Sequence, residues 1–132
     1  MGPYRLSIIA SFPPEEDSDF MSEVEVYIDV IHPEGKTIKE FVEEHEYLVS
    51  GMTSEHGITV EVAKDEDGSV QICLFDLEKL GDDFDAIFEE IGETFFNEAT
   101  QNAGFVLMAT GLTEQEIRVD TELNPASNAY LN

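Results

Sequence analysis

The side chains with chemistry to offer are carboxylates, and they are densest between Asp82 and Gly104, DDFDAIFEEIGETFFNEATQNAG. Asp82, Asp85, Glu89 and Glu93 recur at three- and four-residue steps, the spacing of one helical face, with Asp83 and Glu90 beside them. From Leu80 through Ile117 no Lys or Arg interrupts them. Six acids over a helical rise of about 16 Å make one charge per about 3 Å, close to the ~3.4 Å per phosphate of one duplex strand. Paired acids can also do general acid–base work. With 30 Asp plus Glu in the chain, however, some pair falls at a glycosidase separation by chance, so pairing alone carries no information.

The remaining reactive types form no constellation. Cys73 sits among apolar neighbours in VQICLF, which reads as a buried, inert thiol, and a single cysteine excludes an intrachain disulfide or a Cys-based zinc site. His32, His45 and His56 match no zinc spacing; His45 lies between Glu44 and Glu46, where a carboxylate would favour its protonated form, although a solvated surface histidine is the plainer reading. Aligning Gly68 of Asp65-Glu66-Asp67-Gly68 with the glycine of a calcium loop puts Ala63 at the first ligand position and Leu74 at the last, so that pattern fails and a hairpin turn remains. There is no glycine-rich phosphate loop, Gly-x-Ser-x-Gly elbow or Cys/His pair. The expectation is a protein that is not an enzyme, with no cofactor and no metal.

The elements that would position these acids follow from periodicity. Tyr4 to Phe12 and Glu23 to Ile31 alternate as strands; the second places Val24, Val26, Ile28 and Val30 on one face and Glu23, Glu25, Tyr27 and Asp29 on the other. Between them Glu15 to Ser22 is a polar connection carrying Glu15, Glu16, Asp17 and Asp19. His32-Pro33-Glu34-Gly35 is a turn, and Thr37 with Glu40 makes a capping box for a helix with Ile38, Phe41, Val42, Leu48 and Val49 inward. Glu40, Glu43, Glu44 and Glu46 lie outside, Lys36 and Lys39 can pair with Glu40 and Glu43, and either Gly51 or Gly57 ends the helix. Ile58 to Ala63 and Ser69 to Phe75 form a hairpin around Asp67-Gly68. The acidic helix starts at an Asp82 or Asp83 cap and holds itself down by Phe84, Ile87, Phe88, Ile91 and Phe95; Asn102-Ala103-Gly104 closes it. Phe105 to Thr110 is a strand, and Glu116 to Leu123 a possible extra C-terminal edge strand.

This order, ββαββαβ, predicts an α+β fold: a ferredoxin-like split βαβ sandwich with two helices on one face of a mainly antiparallel sheet, extended by the early hairpin strand. The order of elements is similar to that of the acidic ribonuclease-E regulators of bacteria, a likeness of order carried by no motif. Residues 1–123 form one acidic domain and 124–132 a loosely attached tail. The short apolar run near the N-terminus is neither a signal peptide nor a membrane span, so a cytoplasmic protein with no membrane contact is expected.

Nine Phe and four Tyr in 132 residues mean that the chain folds, so its net charge of −24 wants a reason. That charge matches about 40 Å of duplex on a domain about 35–40 Å across. Direct nucleic-acid binding is thereby opposed, and the inverse expected: an acidic nucleic-acid mimic that occupies the basic groove of a nuclease, a restriction- or CRISPR-type defence protein or another nucleic-acid-binding protein, as anti-restriction, anti-CRISPR and immunity proteins do. Asp82, Asp83, Asp85, Glu89, Glu90 and Glu93 would form its binding row, with Glu40, Glu43, Glu44, Glu15, Glu16, Asp17 and Asp19 as a second patch. The competing readings are a solvated acidic domain of a halophile and a regulator that binds through a hydrophobic edge.

Overall fold

β1 (Tyr4–Phe12) is buried on both faces from Leu6 to Ser11, which suits only an interior strand. The computed structural model, which describes residues 3–12 and 19–118, places it in the middle of a five-stranded sheet. β1 pairs antiparallel with β2 (Phe20–Ile31), Tyr4 opposite Val30 and Phe12 opposite Ser22. On its other side it runs parallel to β4 (Val70–Phe75), Leu6 opposite Val70 and Ala10 opposite Leu74. β3 (Thr59–Lys64) pairs antiparallel with β4, and β5 (Val106–Arg118) with the outer side of β2. The order is β3-β4-β1-β2-β5.

The α+β class therefore holds, and the ferredoxin-like arrangement does not. That fold needs β2 beside β4, with β1 added at the margin; instead β1 is inserted between them. The reason lies in the second face of each strand. β2 presents Glu23, Glu25, Tyr27 and Asp29 there, whereas β1 presents Ser7, Ile9 and Ser11, all buried. The strand with small and apolar side chains on both faces takes the centre.

All three helices cover the other face. α1 (Ile38–Glu44), α2 (Glu46–His56) and α3 (Phe84–Asn97) send Phe41, Val42, Met52, Ile91 and Phe95 into one core with Leu6, Ile8, Ile28, Val30, Ile72 and Leu74. The Thr37–Glu40 capping box forms as expected, the Glu40 amide donating to Thr37 Oγ1 at 3.1 Å and the Thr37 amide to Glu40 Oε1 at 3.0 Å. The single helix expected after it is broken at His45, whose backbone leaves helical geometry (φ −122°, ψ 33°). Its ring stacks on Phe41 at 4.4 Å and its Nδ1–H donates to the Phe41 carbonyl at 2.8 Å, which competes with the helical ladder. Gly57, in the left-handed region at φ 70°, closes α2.

α3 departs from expectation at both ends. Asp83 occupies the N-cap position, but its side chain makes no capping hydrogen bond; the chain enters through a 3-10 segment, Leu77–Asp83, kinked at Gly81. After Asn97 a π turn, Glu98–Asn102, precedes Gly104. β5 is also longer than expected. It runs through Gly111 to Arg118, so Glu116 belongs to it and no separate edge strand starts there; residues 119–123 and the tail 124–132 lie outside the described residues.

The β3–β4 hairpin reaches α1 through Gly68. Its φ of 103° excludes most side chains, a Cβ there would come within 2.9 Å of Thr37 and Tyr4, and its carbonyl accepts from the Lys39 amide at 2.9 Å. Gly68→Ala is expected to cost about 2–4 kcal/mol in urea unfolding, from left-handed strain plus displacement of the α1 cap. A variant as stable as the parent would show that the turn is not under this constraint.

Candidate functional site

α3 lies over β2, where a Cβ on Gly92 would touch Val26 at 3.8 Å, and its exposed acids fall on two sides of that contact. Asp85, Glu89 and Glu93 line a groove of about 390 Å³ between α3 and β5, floored by Val26, Phe88, Gly92, Phe96 and Leu112. Glu90 points the other way, to a cavity of about 230 Å³ shared with Tyr47, Met52, Glu55 and His56 of α2. Asp82 and Asp83 sit exposed in the 3-10 segment. The expected single row of six is thus corrected. One side of α3 carries three carboxylates at i, i+4 and i+8, about 6 Å apart, or roughly half the linear density of a phosphate strand.

These acids are not neutralised. The ion pairs among the described residues are Arg5–Asp29, Lys64–Glu43, His45–Glu98 and His56–Glu55, and none includes Asp82, Asp83, Asp85, Glu89, Glu90 or Glu93. The expected second patch is partly committed elsewhere. Glu40 serves the capping box, and Glu43 takes Lys64 at 3.2 Å rather than Lys39. Glu44 and Asp19 are exposed, and none of these four lines either cavity with the α3 acids. Glu15, Glu16 and Asp17 lie outside the described residues. The carboxylate facing His45 is Glu98, at 3.8 Å, not Glu44 or Glu46.

The face of the sheet opposite the helices carries further acids that periodicity placed outward without marking them as a surface. Arg5 forks onto Asp29 at 2.7 and 3.0 Å and lies 3.7 Å above the Tyr27 ring; its hydrogen bonds hold the Asp29 carboxyl below the usual range. Glu25 accepts from Ser7 Oγ at 2.6 Å and from Thr113, and Glu23 accepts from Gln115 at 3.1 Å. Tyr27 also covers Gly111 of β5 so closely that a Cβ there would fall within 2.5 Å of its hydroxyl. Cys73 lies on this face and is half-buried rather than sealed in the core. Burial raises its pKa first, and Glu23, Glu61 and Glu25 raise it further.

One grouping crosses elements in a way no sequence spacing reveals. Ligand atoms of Glu55, His56 and Glu90 lie within 4.8 Å of one another, a donor set that suits a borderline divalent ion. Both carboxylates are exposed, and among the described residues no side chain donates a hydrogen bond to either. The Asp65–Gly68 acids are a turn, in which Asp67 accepts from the Ser69 amide at 3.0 Å.

The groove opens beside β5, an edge strand with large apolar side chains on the surface: Val106, Leu107, Met108 at 57% and Leu112 at 62% exposure. From Phe105 to Thr113 it carries no charge. No family model, curated protein or solved structure matches the chain. What this arrangement can do is bind: an apolar floor with an acidic rim beside an open strand edge.

The raised pKa of Cys73 gives a test of the back face. At about pH 8 its thiolate fraction lies below that of a free cysteine, so iodoacetamide should alkylate it more slowly, with the rate still climbing at higher pH. Glu61→Gln removes one of the causes and should speed the reaction. Alkylation at the free-cysteine rate in the folded protein would contradict this placement.

Proposed function

We propose that the protein is an inhibitor or regulator that binds a basic partner, a nuclease, a restriction- or CRISPR-type defence effector or another nucleic-acid-binding protein, and covers the surface which that partner offers to phosphates. It acts by occupation and without chemistry of its own, in the cytoplasm. The observation that carries this reading is the side of α3 holding Asp85, Glu89 and Glu93, exposed and with no ion-pair partner among the described residues. In a groove built for phosphates these charges are attracted and the encounter is steered. At about 6 Å per charge the row favours competition by charge and bulk over replacement of nucleic acid phosphate by phosphate.

A second reading, regulation through a hydrophobic edge, is favoured by the exposed Val106, Leu107, Met108 and Leu112 of β5. The same residues weigh against a merely solvated acidic domain, which has no use for an apolar edge. No helix among the described residues is long and apolar enough to cross a membrane.

Capture from the source cell at low salt should recover a basic nucleic-acid-binding protein that is released by rising salt and displaced by DNA or RNA. In the purified pair, Asp85→Lys with Glu89→Lys should weaken binding by about tenfold or more, mainly through slower association, with unchanged melting. A complex indifferent to salt and nucleic acid would move the assignment to the β5 edge. Undiminished binding of the double variant would remove α3 from the interface, and stability only at molar salt would favour the halophile.

A further inference from the structure

We infer that β5 accepts an extended segment of the basic partner as a sixth strand, and that this segment carries Lys or Arg at every second residue. The inference rests on the reading above and specifies the form of the partner. β5 is the outer strand of the sheet, 13 residues long, so one row of its amides and carbonyls has no strand to meet among the described residues. Edges of this kind are usually blunted by charged side chains, Pro, a bulge or a short length; β5 bulges at Met108, opposite the Asp29–Val30 step of β2, and the stretch Ala109 to Thr113 beyond it, which borders the groove, has no charge, Pro or bulge.

The occupant is set by charge. A second copy docking edge to edge would bring its own Asp85, Glu89 and Glu93 toward the same groove, like charge against like. A cationic segment meets the opposite situation. On the helix-facing side its Lys or Arg stems would lie along Val26, Phe88, Gly92, Phe96 and Leu112 while the charged heads reach the three carboxylates on the rim. On the other side it would meet the small and polar Gly111 and Thr113, which suits short polar residues at the intervening positions.

Spacing selects a strand with alternating cations. Successive carboxylates at i and i+4 of α3 rise about 6 Å, and same-face residues of a strand repeat every ~6.6 Å. Over the two steps from Asp85 to Glu93 the mismatch is only about 1.2 Å, which flexible side chains absorb. A cationic helix could match the charges too, but would lay its own saturated backbone against the β5 edge and leave those amides covered and unpaired. A strand pairs them, as in β-augmentation.

The test uses the full chain and synthetic twelve-residue peptides followed by fluorescence anisotropy at low salt. One peptide alternates Lys and Thr; a second has the same composition with its lysines in one block; two more carry N-methyl amides on alternate residues of the first, in opposite phases. The alternating peptide should bind about tenfold tighter than the block, and one N-methyl phase alone should lose about tenfold or more, because only one phase aims its amides at β5. Asp85→Asn with Glu89→Gln and Glu93→Gln should erase the preference for alternation. Equal binding of both arrangements, with no effect of N-methylation, would overturn strand addition while leaving an acidic binding surface in place. No binding by any peptide would overturn both. A dimer in sedimentation that Leu112→Lys dissociates would give the edge to a second copy and overturn the inference as well.

Discussion

The placement of β1 at the centre of the sheet is the constraint from which the other features follow. Leu6, Ile8 and Ala10 are fully buried under the helices, and Ser7, Ile9 and Ser11 are nearly so on the other face. A strand sealed on both sides must have a neighbour on each edge, and β4 supplies the second as a parallel partner. Inserting β1 displaces β2, and with it β5, one strand further from β4. Five strands span about 24 Å, whereas two helical columns side by side cover about 20 Å. α1 and α2 pack over β1, β3 and β4, and α3 over β1 and β2, through the Phe12–Phe84 and Gly92–Val26 contacts. β5 is left beyond the helical cover, and the groove under Asp85, Glu89 and Glu93 is the space that remains.

The same geometry decides where charge repulsion is tolerated. Two carboxylates about 6 Å apart in water repel by about 0.7 kcal/mol before screening, and salt reduces this further. A row of three is thus a small burden on a domain of ordinary stability, about 5–15 kcal/mol, provided the acids stay hydrated. Two of the six cations are committed away from it: Arg5 is locked between Asp29 and the Tyr27 ring on the opposite face, and Lys64 holds Glu43 at the far edge of the sheet. Among the described residues no cation forms an ion pair with the acids of α3, and they remain exposed.

Features set by near neighbours in the chain were legible from the residues. The alternation in β1 and β2, the Thr37–Glu40 box, the Asp67-Gly68 turn and the apolar stripe of α3 all appear where local spacing puts them. What escaped depends on partners distant in sequence or, at His45, on a side chain competing with its own helix. Strand order turns on the second faces of β1 and β2, whose burial is known only once they are paired. The break at His45 comes from a ring that bonds the Phe41 carbonyl and stacks on Phe41, a competition that the apolar period does not register. The continuity of β5 through Gly111 depends on Tyr27 of the neighbouring strand, which covers the glycine from across the ladder. The acids of α3 looked like one row because a helical period cannot tell which flank faces β5 and which faces α2.

An apolar edge strand and an acidic helix are usually opposite solutions to the problem of staying soluble, and here they are adjacent. Had the excess charge served solubility alone, the simplest place for it would be β5 itself, where a single Lys or Glu between Phe105 and Thr113 would blunt the edge. Instead Phe105 to Thr113 stays uncharged, the acids of β5 beginning only at Glu114, and the carboxylates of α3 stand across the groove from it. On the proposed reading the edge is guarded against its own kind and left open to a segment of opposite charge. Such a division of labour would tie the composition to the architecture: in the proposed complex the −24 charge makes the exposed strand selective rather than merely soluble.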